Sequence, residues 1–203
     1  MIADSYYHVY NRANGFENLF REPENYRFFI QQWVKYVSPI ANTLTYCLLP
    51  NHFHFLIKTL DEESLSENFK EDRTLEKYKT FPEFISFRLS KQFSNLFSSY
   101  TQAFNKKYKR KGSLFIPSFK SKEITSDDYM TRIILYIHHN PIHHGFTANL
   151  DAWPYCSYHD FFSSKAGLVK KDDVIEWFGN MKEFNRIHQL GSLEYEKIET
   201  SLT

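Results

Sequence analysis

Two strand-like runs, residues 43–49 and 52–59, are separated only by Pro50-Asn51. A connection this short leaves the chain no path but back on itself. The pair therefore predicts an antiparallel hairpin with Pro50-Asn51 as its tight turn and His52 near the tip. The returning run opens His52-Phe53-His54. Successive side chains on a strand point to opposite faces, so both imidazoles project from one face. Two neutral imidazoles side by side are half of a divalent-metal site.

Around this hairpin the sequence alternates strands and helices. Residues 5–12 are rich in aromatic and β-branched side chains and predict a first strand, ended by Asn14-Gly15. Residues 24–37 carry apolar or aromatic side chains at helical spacing, and Ser38-Pro39 stops them. Residues 61–82 are polar and poorly periodic, which predicts a loop or partly helical insertion. Residues 83–107 predict a long helix, 109–113 a basic loop, and 114–124 a strand with an edge or bulge at Pro117. Residues 125–128 supply N-cap side chains for a helix running to about Asn140 and stopping at Pro141. The resulting order is close to the ferredoxin-like split βαβ pattern. The fold class is α+β, an antiparallel sheet with helices on one face, occupying residues 1–160. A short helical extension, 161–203, follows, its last dozen residues frayed.

The helix ending at Pro141 contains Tyr136-Ile137-His138-His139-Asn140. Helical spacing places the Tyr136 hydroxyl and the Asn140 amide on one face, four residues apart. A metal-binding histidine pair, a tyrosine able to attack phosphorus and a further oxygen ligand together make a phosphodiester-cutting site. Each piece has a plainer alternative. The histidine pair could be surface residues, Tyr136 core, and Asn140 a helix C-terminal device. His138, His139, His143 and His144 could form a second metal cluster or face solvent or phosphate.

The net charge of +1 says little, but its distribution is informative. No Asp or Glu occurs from Phe84 to Lys122, while Arg88, Lys91, Lys106, Lys107, Lys109, Arg110, Lys111, Lys120 and Lys122 do. Interleaved with Tyr100, Phe104, Tyr108 and Phe115, this basic block suits a polyanion with stackable bases. The alternative is a solvated helix end with a basic loop. No apolar run is long enough to span a membrane, and no signal peptide is indicated. Cys47 and Cys156 lack metal-type spacing and read as reduced thiols of a cytoplasmic protein.

Several motifs occur in register. Leu48-Leu49-Pro50-Asn51-His52-Phe53-His54-Phe55-Leu56 resembles the "MPNHvHlL" signature of single-tyrosine HUH transposases. Within them it is closest to the REP-associated tyrosine transposases, relatives of the insertion-sequence-200 type. Tyr6-Tyr7-His8-Val9-Tyr10-Asn11-Arg12 is similar to that branch's "YHVtnR", and Tyr136 to Gly145 to its "YIhlNPvraG". Gly112 to Lys120 resembles "GhlwqgRfk", and Trp153 to Tyr158 the closing "ypWSSy" with its tryptophan displaced. The resemblance covers roughly residues 5–160.

The resemblance implies the HUH nuclease fold and Mg²⁺ or Mn²⁺ held by His52, His54 and Asn140. It also implies Tyr136 as nucleophile, forming a 5′-phosphotyrosine. The expected substrate is single-stranded DNA with imperfect hairpins, contacted by Arg12, Lys106, Lys107, Lys109, Arg110, Lys111, Lys120 and Lys122. The expected setting is a bacterial cytoplasm, at the nucleoid, with no membrane partner. Both monomers and homodimers with exchanged catalytic helices fit the family. Two departures stand out. Ser118 occupies the place of an expected arginine, and the 61–82 insertion could reshape the DNA groove. A catalytically idle or domesticated hairpin DNA- or RNA-binding protein is the rival, and a metal-dependent hydrolase using water a third reading.

Overall fold

A computed structural model of the chain describes residues 1–190, apart from the side chains at positions 73, 75 and 128. Its elements, in order, are β1 (Tyr6–Arg12), α1 (Pro23–Tyr36), β2 (Ala41–Leu49), β3 (His52–Thr59), α2 (Glu62–Phe69), α3 (Phe81–Lys107), β4 (Lys120–Ile124), α4 (Asp127–His143), α5 (Lys171–Phe178) and α6 (Met181–Leu190). The strands form one antiparallel sheet in the order β2-β3-β1-β4. This is the ferredoxin-like order that the alternation of elements implies. The β2–β3 hairpin pairs Leu49 with His52, so Pro50 and Asn51 alone make the turn.

Helices cover both faces of the sheet, where a single covered face is the sequence expectation. α1 and α3 pack on one face, where Phe29, Trp33, Phe53, Phe55, Phe93 and Tyr100 form a continuous aromatic core. The Trp33 and Phe55 rings lie stacked, 3.5 Å apart. The other face, carrying Cys47, Leu49 and Leu56, is buried by Ile133, Ile134 and Ile137 of α4. Phe178 and Phe184, from α5 and α6, belong to this same second core. The helical extension beyond residue 160 thus shares a core with α4. The final dozen residues, read as frayed, lie outside the described residues.

Two local expectations change. The strand proposed for 114–124 begins only at Lys120, because Ser118 takes a left-handed conformation with φ 60° next to Pro117. Phe115 keeps only an isolated bridge to Ala13. α4 continues through Pro141 to His143 rather than stopping before it. Proline removes one backbone donor, a modest loss in a last turn whose carbonyls are met from beyond the helix. The His144 and Phe146 amides donate to the Asn140 and Pro141 carbonyls, at 3.0 and 2.9 Å.

The insertion at 61–82 is partly helical, one of the two forms the sequence allows. It starts with α2, capped by the Asp61 carboxylate accepting from the Ser64 amide at 2.7 Å. Leu65 and Phe69 are buried in the α1–α3 core. The insertion leaves the sheet just after Thr59, the end of β3 opposite His52. It therefore packs far along the strand from the hairpin tip. Arg88 is drawn into this packing by an ion pair with Asp72 at 2.9 Å.

Candidate active site

Strand alternation puts His52 and His54 on the α4 face of β3. β1 pairs with β3 so that Arg12 lies opposite His52 and Tyr10 opposite His54. On its other side β1 pairs Tyr10 with Lys120 and His8 with Lys122 of β4. One sheet face thus presents three histidines, a tyrosine and several cations. Tyr136 and Asn140 descend onto this face from α4. A cavity of about 590 Å³ opens here, lined by Tyr10, Arg12, His52, His54, Lys120 and Tyr136 among others. His144 and Phe146 close its rim from the segment after α4.

The contacts inside the cavity are close. His52 Nε2 stands 3.2 Å from Asn140 Oδ1, across 88 residues of sequence. His52 Nδ1 lies 2.7 Å from Asn51 Oδ1, an oxygen that only accepts, so the imidazole proton belongs on Nδ1. The Asn140 Nδ2 amide donates to the Tyr136 carbonyl at 3.4 Å, which turns Oδ1 toward His52. Nε2 and Oδ1 therefore face each other as two electron-pair donors. A cation between them would satisfy both. The Tyr136 ring stands edge-on to His54, with centroids 5.4 Å apart. Tyr136 is 6% exposed and borders the cavity.

Burial keeps these histidines neutral, the state that ligates metals. It pushes His52 down to about 4, with His144 adding to the fall, the Asn140 contact opposing it and Arg12 reinforcing it. Burial also carries His54 well below the ordinary histidine range, aided by His8, His52 and His144. His8 falls to about 3 through burial and the charge of Lys122. Two neutral imidazoles and an amide oxygen are donors a divalent cation can take, and the amide oxygen is the one of hard type, suited to Mg²⁺ or Mn²⁺.

The second histidine group takes another part. His138 Nε2 lies 2.6 Å from Thr45 Oγ1, and its Nδ1 lies 2.8 Å from His188 Nε2. His139 Nε2 stands 3.0 Å from the His188 carbonyl oxygen. His138, His139 and His188 are buried and lock α6 onto α4, whereas His143 and His144 are exposed, as the solvent-facing alternative has them. Among the described residues, no group of three or more His, Cys, Asp or Glu side chains is arranged to hold a metal ion. Cys47 and Cys156 are buried free thiols that meet across an isolated bridge.

The basic side chains divide. Arg12 and Lys120 line the cavity. Lys122 sits over the Tyr129 ring, 5.2 Å from its centroid. Lys106, Lys109 and Lys111 are exposed around the end of α3, outside the cavity lining. Lys107 pairs with Glu22, and Arg110 with Glu17. Those two cations are engaged within the fold, which a charge count along the chain does not reveal. Ser118, in the place of the expected arginine, borders a separate cavity of about 430 Å³ with Asn11, Phe97 and Phe119.

Sequence reasoning passed over His8 and Tyr10 as site residues, and it placed His144 only in a possible second cluster or facing solvent or phosphate. The signal for His8 and Tyr10 was the alternation His8-x-Tyr10-x-Arg12, which places them on the same face as Arg12. That His144 joins the cavity of His52 depends on how α4 ends.

No protein-family model matches the chain. A protein of Haemophilus influenzae named as a REP-associated tyrosine transposase is 28% identical over 141 residues, spanning 68% of this chain and 67% of that protein. A solved structure of a REP-associated tyrosine transposase bound to a REP hairpin superposes with a TM-score of 0.53 at 18% identity. That match covers 85% of this chain and 86% of the other. The chain thus resembles REP-associated tyrosine transposases in sequence, and it shares the fold of that solved structure.

Proposed function

We propose that this chain is a metal-dependent endonuclease and strand transferase for single-stranded DNA, cutting near hairpins with Tyr136 as nucleophile. The carrying observation is the 3.2 Å approach of His52 Nε2 to Asn140 Oδ1, one helical turn from Tyr136. His52, His54 and Asn140 would hold Mg²⁺ or Mn²⁺, and Arg12 and Lys120 would receive the phosphates. The bound ion would supply Lewis-acid polarisation of a phosphate oxygen.

The protein's own groups do the rest. Arg12 and Lys120, lining the cavity, orient the phosphodiester by charge-assisted contacts. The Tyr136 oxygen forms a bond to phosphorus as the bond from phosphorus to the 3′ oxygen breaks. The phenol loses one proton and the departing 3′ oxygen gains one, so the step balances. The downstream strand stays on Tyr136 through its 5′ phosphate, which conserves the phosphodiester for a later hydroxyl to attack.

The hairpin substrate is proposed from the resemblance to the solved neighbour, which holds a REP hairpin. The test is incubation with Mn²⁺ and a pool of single-stranded hairpin oligonucleotides labelled at the 3′ end. The expected result is a denaturation-resistant adduct that keeps the label and disappears in Tyr136→Phe. Tight hairpin binding without any adduct would instead favour an idle hairpin-binding protein.

A further inference from the structure

His8 is wholly buried, at 0% exposure, one strand away from the proposed metal ligands. Its Nε2 lies 2.9 Å from Nδ1 of His54. The two rings are nearly parallel, with centroids 5.1 Å apart, and Tyr10 stacks on His8 at 4.7 Å. Nδ1 of His8 is buried with no hydrogen-bond partner.

Two nitrogens at this distance share one hydrogen, and only two arrangements exist between neutral rings. If His8 donates, His54 carries its proton on Nε2, and that nitrogen has no electron pair to offer. If His54 donates, its Nδ1 is occupied and Nε2 is left bare. A ligand must present a bare nitrogen. In the second arrangement His8 carries its own hydrogen on the orphaned Nδ1, at a cost of about 1–3 kcal/mol that an apolar side chain of similar size would avoid. Packing alone therefore does not explain an imidazole at position 8.

We infer that His8 is a positioning residue for the metal site: its Nε2 accepts from His54 Nδ1–H and so leaves His54 Nε2 bare to meet the ion. The inference rests on the metal-site reading above. It also assigns the ligating atom of His54 as Nε2, the nitrogen not facing His8. Outer partners of this kind hold ring orientation and raise ligand basicity, at about 10–100-fold in metal affinity.

The test is calorimetric titration of Mn²⁺ into the full chain, comparing wild type with His8→Phe, His8→Gln and His52→Ala. His8→Phe is expected to weaken Mn²⁺ binding about 10–100-fold. His8→Gln, whose amide oxygen still accepts, is expected to recover part of the loss. Nitrogen NMR of the wild type with Mg²⁺ is expected to place the His54 proton on Nδ1, a readout that needs no variant to fold. Wild-type affinity in His8→Phe alongside lost affinity in His52→Ala would overturn the role of His8 and spare the metal site. So would a His54 proton on Nε2 in the Mg²⁺-loaded protein. Unchanged affinity in His52→Ala, or no Mn²⁺ uptake by the wild type, would overturn both.

Discussion

Arg110 grips Glu17 with both arms, Nε to Oε2 at 2.5 Å and Nη2 to Oε1 at 2.7 Å. The guanidinium also donates to the Ser113 carbonyl at 2.6 Å and the Gly112 carbonyl at 3.1 Å. The pair ties the loop after α3 to the loop after β1, and the hydrogen bonds from Arg110 hold the Glu17 carboxyl below its usual range. The most compact cluster of basic residues in the sequence is therefore partly scaffold.

Arg110→Ala is expected to lower stability by about 1–3 kcal/mol, the range for a part-buried group with several charge-assisted bonds. Lys106→Ala and Lys111→Ala, exposed on the same cluster, should stay within about 0.5 kcal/mol of wild type. Urea unfolding of the three variants checks this. Equal midpoints for all three would show that the Glu17 pair contributes nothing.

Lys120→Ala is expected to flatten the slope of log affinity against log salt for a hairpin oligonucleotide by about 0.7, one phosphate contact on a single strand. Its position in the cavity lining motivates the prediction. A variant with the wild-type slope would place the DNA path elsewhere. Equal affinity for plain duplex would count against a hairpin ligand altogether.

Asn140→Ala is expected to raise the Mn²⁺ concentration that supports adduct formation, with hairpin affinity in the absence of metal preserved. The variant removes the oxygen facing His52 and leaves Tyr136 in place. Adduct formation with unaltered Mn²⁺ dependence would remove Asn140 from the metal site.

Acid should loosen the α4–α6 contact. Burial pushes His188 down to about 3, whereas an unfolded histidine titrates near 6.5. Below about pH 6.5 the unfolded chain binds a proton that the folded protein refuses, so stability falls as pH falls from there toward about 3. This side chain alone contributes about 1.4 kcal/mol per pH unit across that window. Unfolding midpoints at pH 7.5 and 5.5, compared between wild type and His188→Leu, measure it. An equally steep acid dependence in both would assign the effect to other groups.

The sequence by itself determined the features that depend on near neighbours. The two-residue Pro50-Asn51 turn and the alternation after it set the β2–β3 register and placed His52 and His54 on one face. Helical spacing set Tyr136 and Asn140 one turn apart on α4. Both follow from backbone geometry over fewer than ten residues, which periodicity reports directly.

Only the tertiary structure decided which surfaces meet. That α4 covers the second sheet face, bringing Asn140 to His52 across 88 residues, depends on the burial of Ile133, Ile134 and Ile137 against Leu49 and Leu56. His8 acquires its meaning only from β1 lying beside β3, and Arg110 from Glu17, 93 residues away. Pro141 stays within its helix because the amides of His144 and Phe146 return to the helix end. Contacts between distant segments are governed by burial and complementary polar partners, and a linear pattern of residue types carries neither.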